Sequence, residues 1–234
     1  MSFSASIFHP EKPKQFDFTL SEKLNWYSLI SIMIYPLILL FVEKSFGYDI
    51  SKYAYYLLII PAITYFIAGA IRLNEYENLN GSFMGSISFK ENFIIIDSVE
   101  YQYNKIENLI LYGNSYSGQR NENTRSGPMY SNGVHNLISF NYTGNKIARN
   151  FKLDSERHID ELQSTLLDII TNEKITYQRK YLNLINEEYR AFMKFESFIA
   201  KLIKEKRIEC TEGLLLIGYN SDKEAKEMRA KYCC

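Results

Sequence analysis

The chain has 234 residues, enough for one or two compact units, and its 27 basic and 27 acidic residues leave no net charge. A general nucleic-acid binder would carry a basic excess, so we expect no nucleic-acid partner. The 19 tyrosines and 15 phenylalanines exclude a wholly disordered chain, because such chains are poor in aromatic residues.

Two apolar runs near the N-terminus predict membrane-spanning helices. Residues 26–42 carry no charged side chain, and residues 53–73 carry only Arg72. Both are close to the roughly 20 residues that a helix needs to cross a bilayer. The alternative is a pair of buried core helices, but such helices usually show a polar stripe, which neither run has. We therefore expect a two-helix transmembrane hairpin over 24–73, with the lipid bilayer as a partner.

The residues around these runs predict where the first helix begins and which way the hairpin faces. Thr19 and Glu22 have the spacing of a capping box that starts a helix. Basic residues near the runs are Lys12, Lys14, Lys23 and Arg72 on the side of the termini, and Lys44 and Lys52 in the link. This excess favours termini in the cytosol, with residues 1–23 as an N-terminal cytosolic segment.

From residue 81 the pattern changes to short strands that predict an antiparallel β-sandwich or barrel. Strands are expected over residues 86–89, 93–97, 99–103, 106–112, 137–142 and 147–153. The turn Thr143-Gly144-Asn145-Lys146 marks the last two as a hairpin. A helix over 155–171 has Leu162 and Leu166 on one apolar face and is expected to cap the sheet.

This order of elements resembles a family of small bacterial membrane proteins. The residues behind the resemblance are the hairpin, the strand pairs "GSISFKENFIIID" and "NLISFNYTGNKIARNFKL", and the helix "DSERHIDELQSTLLDII". The family carries a two-span hairpin followed by a pleckstrin-homology-like (PH-like) domain, and the resemblance covers 24–172. It implies a membrane-anchored α+β chain whose PH-like domain, at 81–172, binds a partner rather than catalysing a reaction. The first strand pair departs from PH domains that bind phosphoinositides, since it offers only Lys90, next to Glu91.

The loop over residues 113–135 is long for a connection inside a compact domain, and such loops are often functional or disordered. One hypothesis is that its two arginines act with basic residues of the last strand to bind an anionic partner or lipid headgroups. The candidate residues are Arg120, Arg125, Lys146, Arg149 and Lys152. The alternative is a plain flexible loop.

No pattern in the chain predicts a reaction. His9, His135 and His158 each lack a second ligand at metal spacing, and no glycine-rich phosphate loop is present in the sequence. We therefore predict no catalytic, cofactor-binding or metal-binding residue, no cofactor, and no enzyme.

Residues 173–234 form a tail that the family does not account for. A long amphipathic helix is predicted over 175–208, followed by a strand over 213–219 and a helix over 221–233. The helix could pack on the soluble domain, on a second copy in a homo-oligomer, or on the membrane surface. The cysteines, Cys210, Cys233 and Cys234, are odd in number and clustered, which predicts free thiols in a reducing compartment.

Together these patterns predict a non-enzymatic integral protein of the bacterial inner membrane that presents a cytosolic PH-like interaction domain. Two alternatives stay open. The chain could be an accessory or immunity-type subunit of a membrane protein assembly, binding another membrane or cytosolic protein, or it could be an enzyme without a recognisable motif.

Overall fold

The computed structural model describes residues 3–13, 15–47, 52–121 and 127–233, and the chain forms two compact units. The first unit comprises Met1–His9, Phe83–Asn114 and Val134–Cys234, and the second comprises Pro10–Ser82 and Ser115–Gly133. The first holds an antiparallel sheet and the C-terminal helices, and the second holds a pair of apolar helices. The chain is therefore α+β, as predicted.

The second unit is built around the helix pair, whose second helix is interrupted by a turn at residues 57–58. Helix α1 is Leu20–Phe46, α2 is Lys52–Tyr56 and α3 is Ile59–Arg72. The predicted capping box is confirmed, because the Thr19 side chain accepts a hydrogen bond from the Glu22 N–H while the Glu22 carboxylate accepts one from the Thr19 N–H. Gly47 ends α1 in the left-handed region, at φ 65°, where glycine is favoured.

The apolar helices of the second unit are exposed. Leu20–Phe46 and Ala54–Arg72 are long and apolar enough to cross a membrane, and only 0% and 6% of their most apolar windows are buried. At about 1.5 Å per residue, α1 is roughly 40 Å long. Core helices of a water-soluble protein would be mostly buried, so this exposure disfavours the buried-core alternative.

The first unit is organised by a seven-stranded sheet. Its strands are β1 (Ser4–Pro10), β2 (Gly81–Phe89), β3 (Phe93–Ile96), β4 (Val99–Gln102), β5 (Ile106–Tyr112), β8 (Asn136–Tyr142) and β9 (Asn145–Phe151). Their order across the sheet is β4-β3-β2-β1-β9-β8-β5. The remaining two strands, β6 (Ser117–Arg120) and β7 (Tyr130–Asn132), form a separate hairpin in the second unit.

One strand of this sheet is absent from the sequence-based prediction. Strand β1 lies within the segment assigned to an N-terminal extension, and it pairs with β9, with Ile7 opposite Phe151. Its alternation is short, because Ala5 and Ile7 are buried on either side of the exposed Ser6 but Phe8 is buried as well. The apolar helices therefore come between the first and second strands of the sheet in the chain.

The sheet curls so that its two edge strands follow one another in the chain. A single 3-10 turn, Tyr103–Lys105, joins β4 to β5. The ring of Tyr101 on β4 lies 5.4 Å from that of Phe140 and 5.1 Å from that of Tyr142, both on β8. Helix α4, Glu156–Thr171, buries its predicted apolar face, since Leu162 and Leu166 are fully buried.

The prediction of one long helix in the tail is wrong. The segment contains a 3-10 helix, Arg179–Leu184, and helices α5 (Glu187–Arg190) and α6 (Met193–Lys204). Hydrogen bonds to other elements replace those of a continuous helix. The side chain of Gln163 donates to the Leu184 carbonyl and accepts from the Asn186 N–H, so α4 fixes an extended break before α5.

The predicted strand over 213–219 is also wrong, because this region lies mostly in helix α7, Cys210–Ile217. A short apolar run fits either a strand or a buried helix. Here the packing decides, since a Cβ at Gly213 would lie 2.6 Å from Cδ1 of Ile203 on α6. The final helix, α8 (Asp222–Tyr232), is as predicted and is capped by Ser221.

The tail packs within the first unit and buries its apolar face there. The buried residues of α6 are Phe195, Phe198, Ile199, Leu202 and Ile203. This agrees with the alternative in which the tail packs on the sheet domain, although Met193 at the start of α6 is 81% exposed. Cys210 and Cys233 form a disulfide, with their Cα atoms 5.7 Å apart, so the prediction of free thiols is wrong for this pair. Cys234 lies outside the described residues.

Candidate functional site

The five basic residues proposed as an anion-binding group come from different parts of the chain. Arg125 lies outside the described residues. Arg120 ends strand β6 in the second unit and is exposed. The other three, Lys146, Arg149 and Lys152, lie on strand β9 in the first unit or directly after it.

The three basic residues near β9 have different surroundings. Alternation along a strand puts Lys146 and Lys152 on one face and Arg149 on the other. Nε of Arg149 lies 3.1 Å from Oδ2 of Asp97. Nζ of Lys152 lies 2.8 Å from Oδ1 of Asp154. Lys146 is exposed and makes no ion pair with any described residue, so it is the most accessible cation of the three.

The long loop contains regular secondary structure within its described residues. It forms the β6–β7 hairpin, which pairs with the segment that follows α3. The Glu77 N–H donates to the Tyr130 carbonyl over 2.9 Å, and the Tyr130 N–H donates to the Glu75 carbonyl over 3.0 Å. The rings of Tyr76 and Tyr130 lie 5.4 Å apart. The loop therefore belongs structurally to the helix pair and not to the sheet.

A polar cluster fixes one end of the helix pair. The Ser21 N–H donates to Oε1 of Glu75 over 3.1 Å, and the Ser21 hydroxyl donates to the second oxygen of the same carboxylate. Burial by itself would raise the pKa of Glu75, but these hydrogen bonds lower it below its ordinary value. An ionised Glu75 thus ties the first turn of α1 to the segment after α3.

Two of the three histidines make hydrogen-bond contacts that involve strand β1. Nε2 of His158 lies 2.8 Å from the Ser4 carbonyl oxygen, and its Nδ1 accepts a hydrogen bond from the Asp154 N–H. Nε2 of His9 lies 3.1 Å from the Met84 carbonyl oxygen. Both histidines therefore connect β1 to other parts of the first unit. Within 3–13, 15–47, 52–121 and 127–233, no group of three or more His, Cys, Asp or Glu residues could hold a metal ion.

Helices α4 and α6 are joined through Asp168. Its carboxylate accepts hydrogen bonds from Lys174, over 2.9 Å, and from Lys194. Burial acts to raise the pKa of Asp168, but the two lysines lower it to about 2. The charge also affects Tyr103, whose pKa is raised first by burial and then by Asp168. These contacts are structural, because they join elements within the first unit.

A basic cleft in the tail was missed by sequence analysis. It has a volume of about 1020 Å³ and lies where the end of α6, the start of α7 and the end of α8 meet. The signal in the sequence is the run Lys201 to Arg207, "KLIKEKR", whose basic residues belong to one face of the predicted long helix. The strand predicted over 213–219 gives no cleft, because the cleft forms only when this region is a helix that packs against α6.

Comparison of the chain with family models, with curated proteins and with solved structures finds no match.

Proposed function

We propose that the chain is an integral membrane protein in which α1 and the α2–α3 segment form a transmembrane hairpin. The observation that carries the proposal is the exposure of two long apolar helices whose most apolar windows are 0% and 6% buried. Water would make this exposure costly, at roughly 25 cal/mol per Å² of apolar surface, whereas a bilayer removes that cost.

The aromatic residues near the helix ends support the same proposal. Trp26 and Tyr27 lie near the start of α1 and are 52% and 66% exposed, and Tyr56 at the end of α2 is 63% exposed. Amphipathic rings of this kind favour the interface between hydrocarbon and headgroups. Pro36 lies inside α1 and is compatible with a membrane helix, where neighbouring groups can satisfy the freed carbonyl.

The proposed role of the first unit is a PH-like interaction domain that is not an enzyme. Two features support the resemblance: a curled sheet of seven antiparallel strands, and the amphipathic helix α4 that follows the last of them. The proposed partner is anionic and would meet Lys146, the exposed cation on β9 that has no ion pair to a described residue. The partner would be an anionic lipid surface or another membrane or cytosolic protein.

The proposed location is the bacterial inner membrane with the soluble part in the cytosol. The excess of basic residues on the side of the termini supports this orientation. The Cys210–Cys233 disulfide favours the opposite side, because disulfides persist in oxidising compartments. A topology measurement is therefore decisive between the two.

The test begins with membrane fractionation of the full chain, followed by a wash in alkaline carbonate. We expect the chain to stay in the membrane pellet, because two spans hold it in the bilayer. Release into the supernatant would overturn the proposal, since it would mean that the exposed helices are covered by protein.

C-terminal fusions then report the orientation. A fluorescent protein that folds in the cytosol is expected to be bright, and a phosphatase active only outside the cytosol is expected to be silent. The reverse result would reject the cytosolic location but leave the hairpin intact.

Purification in mild detergent tests the alternative of an accessory subunit, which requires a stoichiometric partner that copurifies with the chain.

A further inference from the structure

The basic cleft in the tail lies wholly within the first unit and is separate from the candidate group on β9. Six basic side chains line it: Arg179, Lys201, Lys204, Lys206, Arg207 and Lys231. Two carboxylates, Glu209 and Glu212, lie among them. Its volume of about 1020 Å³ is at the upper end of the range typical of small-molecule pockets.

Some of these cations are held in place by carboxylates. Nη1 of Arg207 bonds to Glu173 and lies 3.1 Å from Oε2 of Glu205. The guanidinium of Arg207 also lies over the ring of Tyr177, 4.5 Å from its centroid. Lys201 bonds to Glu173 as well. Arg207 is therefore preorganised, and no other guanidinium nitrogen of it is bonded to a described residue, so N–H groups remain for a ligand.

Two lysines of the cleft have no such partner. Lys204 and Lys206 are exposed and make no ion pair with any residue in the described part of the chain. Lys204 ends α6, where the helix dipole favours a cation, but Lys206 lies beyond the helix. Its backbone is left-handed, at φ 59°, and its N–H donates to the Ile203 carbonyl over 2.9 Å. The chain thus turns sharply and keeps Lys206 at the cleft.

The disulfide forms part of the opposite wall. Cys210 begins α7, Cys233 directly follows α8, and both line the cleft. Lys231, near the end of α8, is brought to the cleft by this connection and lies 3.6 Å from Glu196 on α6. One wall of the cleft therefore consists of α6 and the turn that follows it. The other consists of the start of α7 and the end of α8, which the disulfide joins.

We propose that this cleft binds a small ligand that carries clustered phosphate groups. Arg207 would supply a fixed guanidinium, whose fork geometry matches phosphate oxygens, and Lys204 and Lys206 would close on the remaining charge. Two unpaired ammonium groups beside a preorganised guanidinium favour a ligand with at least two negative charges. Such phosphates occur on soluble metabolites and on lipid headgroups, and the chemistry of the cleft is the same for both.

The first test is calorimetric titration of inorganic pyrophosphate into the full chain, purified in an uncharged detergent at low salt. The test variant is Lys204→Gln with Lys206→Gln, which removes the two unpaired charges without touching the buried face of α6. The matched control is Lys223→Gln with Lys226→Gln on α8, neither of which lines the cleft.

We expect pyrophosphate to bind the unmodified chain and the control with similar affinity, and the test variant to bind about tenfold more weakly or worse. Absence of binding to the unmodified chain, or equal affinity of the test variant, would overturn the proposal. Circular dichroism of both variants checks that each is folded as the unmodified chain is.

A second arm separates the two sources of phosphate. The chain is placed in nanodiscs of phosphatidylcholine alone or with phosphatidic acid, and the pyrophosphate titration is repeated. Weaker apparent binding of pyrophosphate in the acidic nanodiscs would assign the cleft to lipid phosphate, provided that the test variant shows no such difference between the two kinds of nanodisc. Unchanged binding would assign it to a soluble phosphate ligand.

Discussion

The two units differ in how far their apolar side chains are exposed. In the first unit Phe140 on β8 is 1% exposed, whereas in the second unit Phe66 on α3 is 75% exposed. Both regions are rich in apolar residues, yet only the first forms a core that excludes water. The first unit therefore covers its apolar side chains itself, whereas under the proposed function a bilayer would cover those of the second.

Truncating one phenylalanine in each unit should give the largest contrast. Phe140→Ala is expected to lower the free energy of unfolding by about 3–5 kcal/mol, because it leaves a cavity in the core of the sheet. Phe66→Ala, as the matched control, should cost little in detergent, because its ring has few protein contacts. Urea unfolding of the full chain in micelles measures both. An equal loss for the two variants would mean that α3 is buried against protein.

Removing the disulfide should give the next largest effect, and only within the first unit. Cys210→Ser with Cys233→Ser opens a loop with a sequence separation of 23 residues, which should cost about 3 kcal/mol through greater freedom of the unfolded chain. Cys234→Ser is the matched control. Thiol labelling without reductant should modify neither Cys210 nor Cys233, and labelling of both in the folded chain would contradict the assignment.

Adding a methyl group to a helix should distinguish close packing in the first unit from open space in the second. A Cβ at Gly213 would lie 2.6 Å from Cδ1 of Ile203, whereas a Cβ at Gly69 on α3 would have nothing within 4 Å. Gly213→Ala should therefore destabilise the chain by about 1 kcal/mol or more, while Gly69→Ala should be neutral or slightly stabilising. Thermal melts in the same detergent measure the two, and a loss at Gly69 would reveal a packed surface on α3.

The smallest expected effect concerns Asp168, which joins α4 to α6 in the first unit. Its pKa is lowered from 3.8 to about 2 in the folded chain, so its ion pairs stabilise the fold above about pH 4. That contribution is lost as the pH falls toward 2, because the carboxylate then takes up a proton. Asp168→Asn should cost less than about 1 kcal/mol at neutral pH, since the side chain is 41% exposed.

The difference in stability between Asp168→Asn and the unmodified chain should shrink below pH 4. Denaturant unfolding at several pH values follows it. Gln102→Asn at the end of β4 is the control, because this exposed side chain carries no titrating group and its replacement should give no pH-dependent difference. A constant difference down to pH 2 would contradict the role given to the two lysines.

The sequence predicts the structure correctly where a pattern is local. The capping box at Thr19 needs only residues three positions apart, and strand β5 was predicted at Ile106–Tyr112 because β-branched and aromatic residues lie between polar breaks. The prediction fails where distant residues set the backbone. Gln163 interrupts the predicted long helix of the tail from 21 residues away. The basic cleft was missed for the same reason, since its walls come from three helices.

The sequence by itself determined that two apolar runs form helices, that a set of short strands follows them, and that α4 has one apolar face. These properties depend on composition, periodicity and end signals within about 20 residues. Only the tertiary structure decided that β1 joins the sheet, that the long loop belongs with the helix pair, and that Cys210 meets Cys233. Each of these depends on contacts between residues far apart in the chain, and the free energy of such contacts comes from packing and hydrogen bonds that no local pattern records.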